Sequence, residues 1–215
     1  MTWALDHLGV IGQLAWRHTL YAGVPLVVGL LLAIPLGWWA ARSPRWSPLV
    51  IGTSGLLFTI PSLALFTLMP IILGTKILDP ANVMVAMTVY TLALLVRTVA
   101  DGLGSVPDHV RQAATAMGYR SVRRLLGVEL PLAVPVIGAG LRVAAVSNVS
   151  IVSVAALVGI SQLGSLLTDG YQRQVTGELV AGILGCILLA LAFDLVIVLL
   201  VRALTPWARA QRVRA

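Results

Sequence analysis

The sequence predicts an all-α protein, a polytopic transmembrane helix bundle of five spans, with six as the rival count. Three observations predict it. Of the 215 residues, 59% are hydrophobic and only 11% are charged, where a soluble chain carries about 25%. The mean hydropathy is +0.96, which leaves too few polar side chains to cover a globule. Apolar runs long enough to cross a bilayer, roughly 20 residues each, recur from one end of the chain to the other. A single domain over 1–215 is expected, with no solenoid-length repeat and no low-complexity run.

The first apolar run covers about 20–41 and has no basic stretch ahead of it, so it reads as an anchor rather than a cleaved leader. Trp38 and Trp39 close it, just before Arg42, where amphipathic rings sit at headgroup level. The second run, about 49–73, is interrupted by Pro61 and Pro70. A short turn, 74–80, leads to the third run, about 81–98. The fourth, about 132–158, carries Ser147, Asn148, Ser150 and Ser153 at mid-depth. A re-entrant split of this run gives the six-span alternative. Segment 159–178 is rich in glycine and reads as a loop. The fifth run covers about 179–203, and the tail beyond it is basic, with Trp207 at headgroup level.

Lysine and arginine placement sets the orientation. One set of loops holds ten of them: Arg42, Arg45, Arg111, Arg120, Arg123, Arg124, Arg202, Arg209, Arg212 and Arg214. The other set holds three: Arg17, Lys76 and Arg173. The positive-inside rule puts the first set in the cytoplasm, the N-terminus outside and the C-terminus inside. The formal net charge of +7 is thereby a matter of topology, and no nucleic-acid partner is expected. Cys186 is alone in the chain and lies in an apolar run, so no internal disulfide forms. His7, His18 and His109 match no metal-ligand spacing; no metal and no cofactor are expected.

The stretch RQAATAMGYRSVRRLLGVELP, 111–131, stands apart from its oily surroundings. Pro107 and Asp108 suit a helix start, Ala113, Ala114 and Ala116 continue it, and Gly118 ends it. A second short helix fits 120–128, with Val122, Leu125 and Leu126 on one face and Arg120, Arg123 and Arg124 on the other. Leu130 and Pro131 are expected to break it and turn the chain back into the membrane. Small side chains let another protein's backbone come close. An amphipathic helix resting on anionic membrane lipid is the alternative.

Charges inside a bilayer are costly unless paired or functional. Arg142 in the fourth run and Asp194 in the fifth would be cheaper as a pair than apart. Arg142 reaching toward headgroups is the other reading. Ser147, Asn148 and Ser150 are candidates for a pathway lining, weighed against plain interhelical hydrogen bonding. Pro61 and Ser62 are a second pathway candidate, because irregular backbone at depth is tolerated where protein or a wet cavity covers it. Tyr90 and Phe66 are possible aromatic contacts, more simply read as packing.

Residues 112–131 resemble the cytoplasmic EAA loop of ABC-importer permeases: Glu-Ala-Ala, three residues, Gly, nine residues, Ile, one residue, Leu-Pro. Here Gln112, Ala113 and Ala114 are followed at that spacing by Gly118, then Val128, then Leu130 and Pro131. Gln112 stands where Glu is usual and Val128 where Ile is usual. Stretches 59–73, 89–103, 128–146 and 155–170 resemble the osmoprotectant branch, the glycine betaine, carnitine and choline importers. The resemblance implies a bacterial inner-membrane subunit that is not an enzyme and dimerises with an identical or similar permease. It implies two copies of an ABC ATPase docked on 104–131, with Arg120 near the joint, and a solute-binding protein outside. Consistent with that, the only lysine, Lys76, follows Thr75 and no nucleotide-binding Gly-Lys pair is present. A permease for another small solute such as an amino acid is one alternative. A membrane scaffold with a lipid- or partner-binding basic loop is the other.

Overall fold

A computed structural model describes residues 2–207; the basic tail positions Arg209, Arg212 and Arg214 lie outside the described residues. Among those described, every regular element is helical. A short α1 (Thr2–Asp6) precedes α2 (Leu8–Arg42), which at 35 residues is roughly 50 Å long at 1.5 Å per residue. The first span therefore begins a dozen residues before the apolar run. Those extra turns hold His18, which is fully buried and whose Nε2 lies 3.0 Å from the Val149 carbonyl. A polar residue bonded to a distant carbonyl inside the bundle does not show in a hydropathy window.

The second span is two helices, α3 (Ser47–Thr59) and α4 (Ser62–Leu73), bent by 103° at Ile60–Pro61. Proline removes a donor and clashes with the preceding turn. The Ile60 carbonyl freed there accepts a hydrogen bond from the Tyr90 hydroxyl. Pro70 sits within α4 without ending it. Gly74, at φ 64°, closes α4 in the left-handed region, and Asp79 caps the next helix by accepting from the Ala81 amide at 2.9 Å.

Helix α5 (Pro80–Gly104) is the central element, and α2 packs along its length. Gly29 faces Thr91 and Gly37 faces Val99, so the two helices run parallel. Parallel neighbours need a return crossing between them, and the bent α3–α4 pair supplies it. With that pair counted as one, the spans number five. The small residues set the spacing: a methyl group on Gly37 would stand 2.7 Å from Val99 Cβ and 2.9 Å from the Val96 carbonyl oxygen. Gly37→Leu is expected to prevent tight packing of α2 on α5, read as loss of the folded chain from detergent extracts in size-exclusion chromatography. Gly52→Leu, where a Cβ meets nothing within 4 Å, should behave as the native chain.

After α6 (Asp108–Ala116) and α7 (Ser121–Arg124), a π-helical turn at Leu125–Glu129 leads without interruption into α8 (Leu130–Val154) and a final 3-10 turn, Ala155–Val158. The result is one apolar helical run over Ser121–Val158. This corrects two expectations. Pro131 does not break the chain: it lies in the first turn of α8, and the π turn just upstream re-registers the backbone, with the Leu130 amide donating to the Leu125 carbonyl. The fourth span is not split either; the broken span is the second.

Segment 159–178 is not a plain loop. It contains α9 (Leu163–Gln172). Gln162 caps it, accepting from the Gly164 amide, while its Nε2 donates to the Val152 and Ser153 carbonyls at 3.0 and 3.2 Å. Leu163 and Leu166 are buried beneath it. The chain ends with α10 (Thr176–Leu204), which packs antiparallel to α8, Gly138 against Val201 and Ser153 beside Cys186. Buried side chains form two adjoining cores. One gathers Phe66, Met87, Tyr90 and Val152 about the bend; the other gathers Leu95, Val99, Leu103 and Ile137 toward the arginine-rich end.

Candidate functional site

The arginine-rich segment projects from one end of the bundle as a helical hairpin. Asp108 in the first turn of α6 accepts from Arg111 Nη2 at 2.6 Å. Ala114 faces inward and is buried, whereas Gln112, Ala113, Ala116 and Met117 are exposed. The hairpin turns at Gly118, φ 84°, whose amide donates to the Thr115 carbonyl at 2.9 Å. A Cβ at Gly118 would meet nothing within 4 Å, so the turn is an open tip. Beyond it, Arg120 and Val122 are exposed and Arg123 lies over the Tyr119 ring at 4.9 Å.

Arg124 does not join that outer face, in contrast to the two-faced helix expected over 120–128. Its guanidinium turns inward, with Nε donating to Glu129 Oε1 at 2.8 Å and Nη1 to the Thr115 hydroxyl. Arg42, at the end of α2, donates to the same Glu129 oxygen at 2.6 Å. Glu129 is 1% exposed and Arg42 also stacks on Trp38, 4.8 Å from the ring centroid. One buried carboxylate thus ties both limbs of the hairpin to the foot of the first span. In the motif Glu129 occupies the unspecified position between Val128 and Leu130, and the sequence reading passed over it. A lone acid amid four arginines was the available signal. Val128, Leu130 and Pro131 are half-buried at the root. Between the two limbs lies a shallow groove of about 320 Å³ lined by Asp108, Arg111, Gln112, Thr115, Ala116 and Arg124.

The intramembrane residues divide. Asn148 is 2% exposed; its amide nitrogen donates to the Thr91 hydroxyl at 2.8 Å and to the Ala22 carbonyl at 3.2 Å. It clasps α2, α5 and α8 together by interhelical hydrogen bonds. Ser150 is exposed and Ser147 partly so. Pro61 is exposed and Ser62 half-buried at the bend. Phe66 and Tyr90 are packed in the core. Arg142 and Asp194 meet in a bidentate pair, Nε to Oδ1 at 2.6 Å and Nη2 to Oδ2 at 2.9 Å. Among the described residues, no cluster of three or more His, Cys, Asp or Glu is placed to hold a metal.

A multi-span helical bundle with a projecting, small-residue hairpin at one end defines a class: a membrane subunit with an exposed surface on which another protein can dock. The chain belongs to the family described as the binding-protein-dependent transport system inner membrane component, whose profile matches residues 33–210. It is the permease subunit of an ABC importer, a multi-pass inner-membrane protein that works with a separate ATPase, a solute-binding protein and a partner permease. It is 35% identical over 205 residues to the osmoprotectant import permease protein OsmW of Salmonella typhimurium, covering 94% of this chain and 95% of that one. It is 32% identical over 199 residues to the glycine betaine/carnitine/choline transport system permease protein OpuCD of Bacillus subtilis, covering 92% and 86%. Among solved structures, a chain of the inward-facing MetNI methionine ABC transporter superposes with a TM-score of 0.83 at 20% identity, covering 93% of this chain and 98% of that one. This last likeness concerns the fold.

Proposed function

We propose that the permease passes quaternary-amine osmoprotectants, glycine betaine, carnitine or choline, into the cell. The observation that carries this is full-length similarity to the two osmoprotectant permeases, which spans the bundle and the hairpin alike. Residues 104–131 form the ATPase-coupling loop, with Gln112, Ala113, Ala114, Gly118 and Arg120 on the docking side and Val128, Leu130 and Pro131 at its root. The working unit is two permeases, identical or similar, with two ATPase subunits and one binding protein outside. Charges that mediate docking are the exposed arginines, which suit carboxylate or backbone acceptors. Pro61, Ser62, Ser147 and Ser150 line the pathway. Low aromatic content, 6%, supports selection by the binding protein, since quaternary ammonium groups are held by aromatic cages.

Reconstitution tests the cargo. With its cognate ATPase and binding protein in proteoliposomes, the permease should take up at least one of the three solutes on addition of ATP. Alone, it should take up none and hydrolyse no ATP. Uptake confined to unrelated solutes such as amino acids sinks the cargo assignment; failure to co-purify with any ATPase sinks the coupling role of 104–131.

The orientation has the N-terminus outside and the hairpin and C-terminus in the cytoplasm, as the arginine distribution demands. In a Cys186→Ala background, Trp3→Cys should react with an impermeant thiol reagent from outside intact cells, and Met117→Cys only after the cells are opened. Labelling of both from outside would reverse this topology.

A further inference from the structure

We propose that Arg142 and Asp194 form a transit site for zwitterionic solutes, a place where a betaine's carboxylate and cation briefly replace the partners of an ion pair. This rests on the cargo reading above. The Arg142 and Asp194 side chains are 47% and 28% exposed on the surface of the single chain, so neither is enclosed by its own bundle. Intramembrane charges face the bundle interior or a water-filled cavity, because hydrocarbon solvates them poorly. Arg142 stands on the wall of a cavity of about 760 Å³ between α8 and α10, within the range of about 300–1,000 Å³ usual for small-molecule sites. Pro135 and Ala139 line the α8 side, Val198 and Leu199 the α10 side, and Arg202 and Thr205 the end nearest the arginine-rich pole, while Gly138 packs closely on Val201 where the two helices meet.

The chemistry fits a solute bearing both signs of charge. The guanidinium offers a planar fork of donors that suits a carboxylate. Asp194 lies beside the cavity wall through its bond to Arg142; once Arg142 turns to the solute's carboxylate, the Asp194 carboxylate is freed for the solute's cation, and no charge is left unpaired during the exchange. The net charge of the site does not change as the solute enters or leaves. When the site is empty the two side chains close on each other in the observed bidentate geometry. The solute must compete with that closed pair, so it is held weakly, as passage requires.

Two measurements on the assembled transporter in proteoliposomes test this. The first replaces the pair by apolar residues, Arg142→Met with Asp194→Leu. Such replacements of ion pairs are often neutral for folding, so a purely structural pair predicts native uptake and native selectivity. The transit site predicts a fall of at least about tenfold in glycine betaine uptake, with assembly retained on co-purification. It also predicts a drop of at least about threefold in the ratio of glycine betaine to choline uptake, because choline has no carboxylate for Arg142 to receive. The second measurement stands even if that variant fails to assemble. Ala139→Cys in a Cys186→Ala background should react with a charged, water-soluble thiol reagent in the resting or the ATP-bound complex, and excess glycine betaine should slow the reaction. No reaction in either state would mean that lipid or the second permease covers the cavity, and the proposal is wrong. Native uptake and selectivity in the apolar pair overturns it as well. If the unaltered transporter carries none of the three osmoprotectants, it is the cargo reading that has failed.

Discussion

Gly118→Trp is expected to abolish solute uptake by the assembled transporter while leaving the permease in the membrane. Backbone strain and added bulk are separate costs here. Gly118 adopts φ 84°, and a residue with a Cβ pays roughly 1–2 kcal/mol in that region. That strain is too small to unfold a bundle held by two adjoining cores. Nothing in the chain lies within 4 Å of the position a Cβ would take, so the indole clashes with no neighbour of its own. On the coupling role proposed for 104–131, it would instead occupy space needed by a docked ATPase. Gly118→Ala carries the strain without the bulk and should keep most of the uptake. The readouts are membrane content by immunoblot, co-purification of the ATPase, and uptake. Native uptake by the tryptophan variant would remove the tip from the joint, and loss of the protein from the membrane would assign Gly118 to folding.

Glu129→Ala is expected to weaken both the fold and the transport cycle. The carboxylate is 1% exposed and takes Arg42 at 2.6 Å and Arg124 at 2.8 Å. Breaking a buried pair by deleting one partner costs about 3–5 kcal/mol. Here the two arginine side chains left behind are 27% and 18% exposed, so water recovers part of their solvation and the lower end of that range applies. Losing the carboxylate also frees the hairpin from the foot of α2. Uptake should fall at least about tenfold, and denaturant unfolding in detergent should shift to a lower midpoint. Glu129→Gln keeps the hydrogen-bonding length without the charge and should fall between the two. Native uptake and native stability in Glu129→Ala together would show that the three-residue lock does not hold the hairpin.

The features legible in the sequence were those with a short-range or averaged signal. Hydropathy located all five spans because hydrocarbon demands long apolar runs. The cost of lone charges at depth suggested the Arg142–Asp194 pair, and the spacing from Gln112 to Pro131 marked the hairpin. The features missed depend on partners far away in sequence. Glu129 lies 87 residues from Arg42, and no periodicity links them. The α9 helix was hidden by Gly159, Gly164 and Gly170, which read as loop although Gly164 and Gly170 mark close approaches to neighbouring backbone. Pro131 misled for a physical reason: it forbids one backbone hydrogen bond, and the π turn before it absorbs the loss, a response invisible to residue-by-residue rules.

The parallel contact of α2 with α5 has a mechanical consequence. Gly29 sits against Thr91 near the middle of α2, with Arg42 locked to the hairpin at one end and His18 lodged under Val149 toward the other. At 1.5 Å per residue the two arms about Gly29 are roughly 20 Å and roughly 16 Å long. The helix is held at more than one place along this length, because Gly37 packs on Val99 as closely as Gly29 does on Thr91. Pro25 and Pro35 flank the Gly29 contact and each removes a backbone hydrogen bond, so a tilt imposed at the hairpin is expected to reach the opposite end through α2 and α5 moving as a packed pair and not through α2 alone.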